Sequence, residues 1–259
     1  MNVALILHFV RQDLKDKHAG SALGALWTLL LPLANILIFT LVFSRIMGAR
    51  LNAMGMEYLG AYSYSVYLIT ALLAWHAFAT TLTRITNVYQ EKAQLITKVH
   101  VSLFTLPIYI VISETIVYLI SMVFFAVFLW LIDFQWSAAW LWLPIIFAIQ
   151  QLFAYGLGLL CAILSVFFRD LRTLVGIVTQ LWFWLTPIVY VISILPPEWL
   201  RYFSWNPLYQ TTRALRESLI AGQSPDWPAL SPVLAIGLVL LGISLVAGRH
   251  LEKDIRDFL

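Results

Sequence analysis

The chain has 259 residues, of which 61% are hydrophobic and 11% charged, and it carries a formal net charge of +3. A soluble surface needs roughly 25% charged residues, so composition excludes one or two soluble domains and points to a protein dissolved in lipid. The single cysteine, Cys161, excludes a disulfide framework.

About six uncharged stretches lie near residues 19–44, 58–83, 115–132, 134–168, 173–197 and 227–248. Each reaches the roughly 18–20 residues that cross about 30 Å of hydrocarbon. The expected fold is therefore an all-α integral membrane protein with six transmembrane helices in one unit, residues 1–259. Arg11, Lys15, Lys17, Arg84, Lys92, Lys98, Arg169, Arg172, Arg249, Lys253 and Arg256 fall on one side of these spans. The other side holds only Arg45, Arg50, Arg201, Arg213 and Arg216. The excess places both termini in the cytoplasm. Arg11 follows the first apolar residues, which reverses signal-peptide order, so no cleavable signal is expected.

In chain order, Val3, Ile6, Leu7, Val10 and Leu14 recur at helical spacing opposite Arg11, Gln12, Lys15 and Asp16. Residues 1–22 are thus expected to begin with a helix lying on the inner membrane face. Residues 20–24 form a small-residue elbow before Trp27 and Pro32. In the loop 84–104, Ile85, Val88, Leu95 and Ile96 suggest a short helix with one sticky face, read either as a docking knob or as a plain connector. Glu114 stands at the edge of the third span, where a structural ion pair is favoured over a proton relay. Gly156 and Gly158 read as packing notches in the fourth span, and Asp170 as a cap for the fifth. Pro187 should kink or open the fifth span, amid Trp182, Phe183, Trp184 and Tyr190. Those aromatics read either as an interface belt or as a stacking surface for sugars.

Residues 195–226 form neither a loop nor a full span. Trp199, Tyr202 and Phe203 share one face, Asn206 and Pro207 make a helix start, and Leu208, Leu215 and Leu219 oppose Arg213, Arg216 and Glu217. Arg213 and Glu217 are spaced to pair. Two short helices are expected, dipping into the outer leaflet or lying on it.

The five histidines show no metal-ligand spacing, and no phosphate-binding glycine loop, nucleophile elbow or paired intramembrane carboxylates occur. No metal site, no cofactor of its own and no nucleic-acid partner are expected. Uphill transport by such a chain needs an external motor.

The ordered set Arg11-x-Asp13-Leu14-Lys15, Leu23-Gly24-x-Leu26-Trp27, Pro32, Ser165–Asp170, Thr186-Pro187-Ile188-x-Tyr190 and Asn206-Pro207-Leu208 resembles the permease subunits of ABC exporters for lipid-linked polysaccharides. The tail His250–Phe258 is similar to the O-antigen branch. The resemblance implies a homodimer in the bacterial inner membrane, bound to two ATPase subunits that hold ATP and Mg. It implies an undecaprenyl-pyrophosphate-linked polysaccharide as substrate. It further implies ATPase contacts at Glu91, Lys92, Lys98, Arg169 and Asp170, with a coupling helix inside 84–104. The polysaccharide path would use Trp27, Phe39, Trp75, Phe78, Trp182, Phe183, Trp184 and Tyr190. Periplasmic gate helices would use Pro187, Trp199, Tyr202, Asn206, Pro207 and Arg213. Two departures from the family pattern, Lys17-His18 before the elbow and His100-Val101-Ser102 after Lys98, bear on docking and head-group access. Alternatives are an exporter of capsule or teichoic polymer, of a drug or of a small lipid, and, in another class, a membrane-embedded glycolipid transferase or an ion-coupled flippase.

Overall fold

The computed structural model describes residues 3–17, 27–42, 57–99, 101–192 and 196–259. Among them every regular element is helical. The N-terminal half holds α1 (Val3–Asp16), α2 (Trp27–Thr40), α3 (Ser63–Glu91), α4 (Ala93–Lys98) and α5 (Ile108–Leu131). It continues with α6 (Leu143–Phe167), α7 (Leu171–Trp184), α8 (Pro197–Phe203), α9 (Pro207–Leu219), α10 (Trp227–His250) and α11 (Glu252–Phe258). Short 3-10 turns at Glu57–Tyr62 and Ala138–Trp142 lead into α3 and α6.

Four units, residues 57–91, 108–131, 138–167 and 227–250, are long and apolar enough to cross a bilayer. α2 and α7 have 14 residues each, about 21 Å at 1.5 Å per residue, against roughly 30 Å of hydrocarbon. The residues flanking α2, 18–26 and 43–56, lie outside the described set, and with them the elbow 20–24 and His100. α7 is short for a visible reason. Its helix stops at Trp184; Leu185 and Thr186 still donate back to the Leu181 and Phe183 carbonyls, and residues 187–191 then run on outside the helix. The expected fifth span 173–197 is thus opened ahead of Pro187, which has no N–H to continue the ladder.

Other boundaries shift as well. α3 continues to Glu91 instead of ending at residue 83, and α5 starts at Ile108, which puts Glu114 inside a helix. The single sticky helix expected in 84–104 is split in two. Ile85 and Val88 belong to the end of α3, Ile96 to α4, and all three are buried in the bundle. What the α4 turn exposes is Gln94, Thr97, Lys98 and Val99.

α6 is sandwiched between α3 and α10. A Cβ on Gly156 would lie 2.8 Å from the Gly237 carbonyl oxygen, so the α6 and α10 backbones touch where neither residue has a side chain. Gly158 makes the matching notch for Ile85 of α3 at 3.0 Å. Outward, Leu119, Val123 and Val127 of α5 and Leu238, Val239, Ile243 and Val246 of α10 are exposed. Exposed apolar side chains along both helices suit lipid as their solvent.

Candidate functional site

Opening a helix leaves carbonyls that water or a protein donor must satisfy, and hydrocarbon supplies neither. Here the donors come from α3 and α9. Arg216 Nη1 donates to the Pro187 carbonyl at 2.7 Å and Nη2 to the Ile188 carbonyl at 2.9 Å. Its Nε reaches the Tyr67 carbonyl at 3.2 Å, and Nη1 also meets the Tyr67 hydroxyl at 2.8 Å. The guanidinium lies over the Tyr67 ring, 3.4 Å from its centroid. Tyr64 donates to the Val189 carbonyl and Tyr67 to that of Tyr190. Arg216 is 4% exposed, which corrects its placement on a polar outer face. Burial pushes its pKa down to about 10, with the Tyr67 phenol opposing the fall, so it stays charged at neutral pH.

A second tie sits beside it. Asn206, the N-cap of α9, accepts from the Leu208 N–H and from Trp182 Nε1, both at 3.0 Å. Its amide donates to the Leu185 carbonyl and to Thr186 Oγ1, both at 3.1 Å. One side chain therefore caps α9 and closes the end of α7. Tyr190 donates back to the Trp184 carbonyl at 3.0 Å. The Thr-Pro-Ile-x-Tyr and Asn-Pro-Leu signatures, 20 residues apart in sequence, form one hydrogen-bonded knot. Pro187 is buried within it, and Pro207 opens α9. Arg213 pairs with Glu217 at 2.7 Å, as the spacing predicts, and is half-exposed. On α8, Trp199 and Tyr202 stand out at 55% and 73% exposure.

The aromatics expected along the path divide into two groups. Phe78 stacks on Phe153 at 5.9 Å and meets Trp182 edge-on at 5.7 Å, while Trp75 meets Phe183 edge-on at 5.5 Å. Phe78 and Trp75 are buried in this arrangement, and Trp182 is engaged by Asn206. These rings brace α7 against α3 and α6. Trp184 is 61% exposed and Tyr190 partly so. Trp27 and Phe39 of α2 are half-buried.

One feature escaped the sequence reading. His76 and Thr80 are exposed, and Thr83 and Asn87 half-exposed, along one face of α3 at helical spacing. Thr80 and Thr83 back-bond to the carbonyls of His76 and Ala79, and Asn87 to that of Thr83. Polar groups facing outward from a span face water or protein, since lipid offers them no partner. The signal was in the sequence, but it hid among apolar neighbours because only every third or fourth residue carries it.

At the other end, Glu114 is the hub of an ion network. Lys17 Nζ lies 2.8 Å from it, Arg84 pairs with both Glu114 and Asp13, and Thr80 donates to it at 3.2 Å. Its structural role is the one favoured above, and the network pins α1 to α3 and α5. Glu91, Lys98, Arg169 and Asp170 are exposed near this end, and Lys92 is half-buried. Asp170 occupies the N-cap position of α7 without making a side-chain capping bond, which corrects the expected cap.

Four helical units long and apolar enough to cross a bilayer, with an interrupted helix packed on two of them, mark a multi-pass helical membrane protein. Residues 5–220 match the ABC-2 type transporter family, and the chain belongs to that family. It is 27% identical over 256 residues to an O-antigen export system permease protein RfbA of Klebsiella pneumoniae, covering 98% of this chain and 95% of that one. The Myxococcus xanthus protein of the same name is 27% identical over 240 residues, covering 92% and 88%. A polysialic acid transport protein KpsM of Escherichia coli is 21% identical over 243 residues, covering 93% and 91%. The family resemblance read from the motifs is thereby borne out.

Proposed function

We propose that this chain is the transmembrane subunit of an ATP-driven exporter that moves lipid-linked O-antigen polysaccharide from the cytoplasm to the periplasm. The carrying observation is similarity over nearly the whole chain to permeases named for O-antigen export. The interrupted seventh helix supports the reading, because broken helices in membranes occur where backbone lines a cavity or is held by protein. The working unit is a homodimer in the inner membrane with two ATP-binding subunits that carry ATP and Mg. Both termini are cytoplasmic, α2 and α7 complete six crossings, and α8 and α9 are the periplasmic gate helices. The path runs past Trp184, Tyr190, the His76–Asn87 stripe and Trp27 and Phe39 of α2. The turns at α4 and Arg169-Asp170 meet the ATP-binding subunit.

The test is reconstitution of this chain with and without its ATP-binding subunit in vesicles containing the lipid-linked polymer. Export should require both subunits and ATP, and polymer movement by this chain alone would refute the assignment. Topology is read at Trp205, which is 82% exposed. A Trp205→Cys protein should react with an impermeant thiol reagent from the periplasmic side, and labelling only from the cytoplasm would reverse the orientation.

A further inference from the structure

α11 follows α10 after the single residue Leu251 and lies beyond residue 220, where the family match ends. It packs beneath α4. The last carbonyls of a helix have no partner inside it, and in the six-residue α4 the Leu95 carbonyl is taken by Val99 N–H. The next one, Ile96, accepts from Arg256 Nη1 of α11 at 2.6 Å. Arg256 Nη2 donates to the Val101 carbonyl at 2.8 Å, on the segment returning to α5. Glu252 Oε1, at 3.0 Å from Nη2 and 3.3 Å from Nε, fixes the fork that spans both carbonyls. Ile255, fully buried, lies in the same apolar cluster as Ile96 and Val101. Phe258 meets Phe167 edge-on at 5.4 Å, next to the turn carrying Arg169 and Asp170.

We infer that Arg256 is a positioning residue that makes α4, the Arg169-Asp170 turn and α11 one rigid cytoplasmic body, so that motion imposed on α4 is delivered to α10 and α6. Without this strut, α4 and α11 share only the apolar contact of Ile96 with the Ile255 cluster, which has no fixed direction. With it, a push on α4 also reaches α10, whose backbone is in contact with α6 at Gly156 and Gly237. Coupling of this kind needs an element both sites can bias, and α11 is continuous with one side and hydrogen-bonded to the other. The inference rests on the reading of α4 as the contact with the ATP-binding subunit.

The experiment uses the full complex in vesicles containing lipid-linked polymer and measures polymer exported per ATP hydrolysed. Arg256→Gln should assemble and hydrolyse ATP within about twofold of wild type while exporting about tenfold less polymer per ATP, within the usual range of coupling between sites. Arg256→Lys should recover part of that ratio, to about threefold below wild type, because one ammonium reaches one of the two carbonyls. An unchanged ratio in Arg256→Gln, or equal loss of hydrolysis and export, would overturn the inference. If Arg256→Gln does not accumulate, Arg256→Lys and Glu252→Gln decide, with about threefold loss expected in each and no loss in either overturning it. The underlying reading is tested separately. A Thr97→Cys protein that exports normally but never cross-links to a cysteine-bearing ATP-binding subunit removes α4 from that interface whatever Arg256 does.

Discussion

The two ends of this bundle hold arginines in opposite ways. At the end that the proposed topology places inside, Arg84 sits between two carboxylates, Asp13 and Glu114, with Lys17 sharing Glu114. At the opposite end, outer in that topology, no carboxylate among the described residues touches Arg216, whose bonds go to three carbonyl oxygens and one phenol. The inner network joins elements that would be regular helices without it. The outer arginine serves an irregular segment that cannot exist in lipid without donors. Ion pairs can be exchanged for other pairs at modest cost, whereas carbonyls freed by an opened helix need a multi-pronged donor in one place.

The contrast makes Arg216→Leu the most damaging change. It orphans the Pro187 and Ile188 carbonyls, at about 1–3 kcal/mol each, and relieves the burial of one charge, which offsets part of the loss. A net destabilisation of about 3 kcal/mol is expected, read as a lower melting temperature of the detergent-purified protein, together with abolished export. A melting curve unchanged by Arg216→Leu would mean that the opened segment holds itself. Asn206→Ala comes next. It removes the α9 cap, worth about 1 kcal/mol, and the donors to Leu185 and Thr186. About 2 kcal/mol should be lost, and quenching of Trp182 fluorescence should rise as the indole loses its acceptor.

Glu114→Gln probes the inner end. Glu114 is nearly buried, but Lys17 and Arg84 keep 22% and 26% of their side chains exposed, and Asp13 still holds Arg84. The loss should therefore be about 1–2 kcal/mol, below the 3–5 kcal/mol of a fully buried pair. It should show as faster protease cleavage within α1. A relay would behave differently, with stability retained and the pH profile of export shifted.

Much of the outer knot was legible beforehand, because proline and asparagine act locally. Pro187 removes a donor wherever it stands, and Asn206-Pro207 starts a helix whatever surrounds it. The pairing of Arg213 with Glu217 follows from helical spacing alone, and the packing notch at Gly156 from the lack of a side chain. Arg216 did not follow. Its position among Arg213 and Glu217 makes it look like part of a solvated face, and its partners lie 28 to 149 residues away. The inner region was misjudged for a related reason. Ile85, Val88, Leu95 and Ile96 have the spacing of one sticky helix, but α3 overruns its expected end and takes the first two with it. Phe78 and Trp182 carry the residue types of a sugar-stacking surface, and only tertiary packing separates these bracing rings from the exposed Trp184.

The smallest expected effect comes from the arginine that the sequence singled out, and it sharpens the comparison within one helix. Arg213 precedes Arg216 by less than one turn of α9 and carries the same charge. Its side chain is 42% exposed, its partner Glu217 sits on the same helix, and Asp226 is 3.8 Å away. An exposed pair four residues apart contributes about 0.3–0.5 kcal/mol and is screened by salt. Arg213→Ala should therefore leave the melting temperature nearly unchanged, with the small difference vanishing at high ionic strength. Export is a separate readout. If α9 is the gate helix proposed above, a half-exposed cation on it faces the passing polymer or its water, and Arg213→Ala should lower export severalfold at unchanged stability. Export equal to wild type would assign Arg213 to the α9 surface alone. The gate would then rest on Arg216 and Asn206, which act on the backbone of the opened helix and need not touch what passes through.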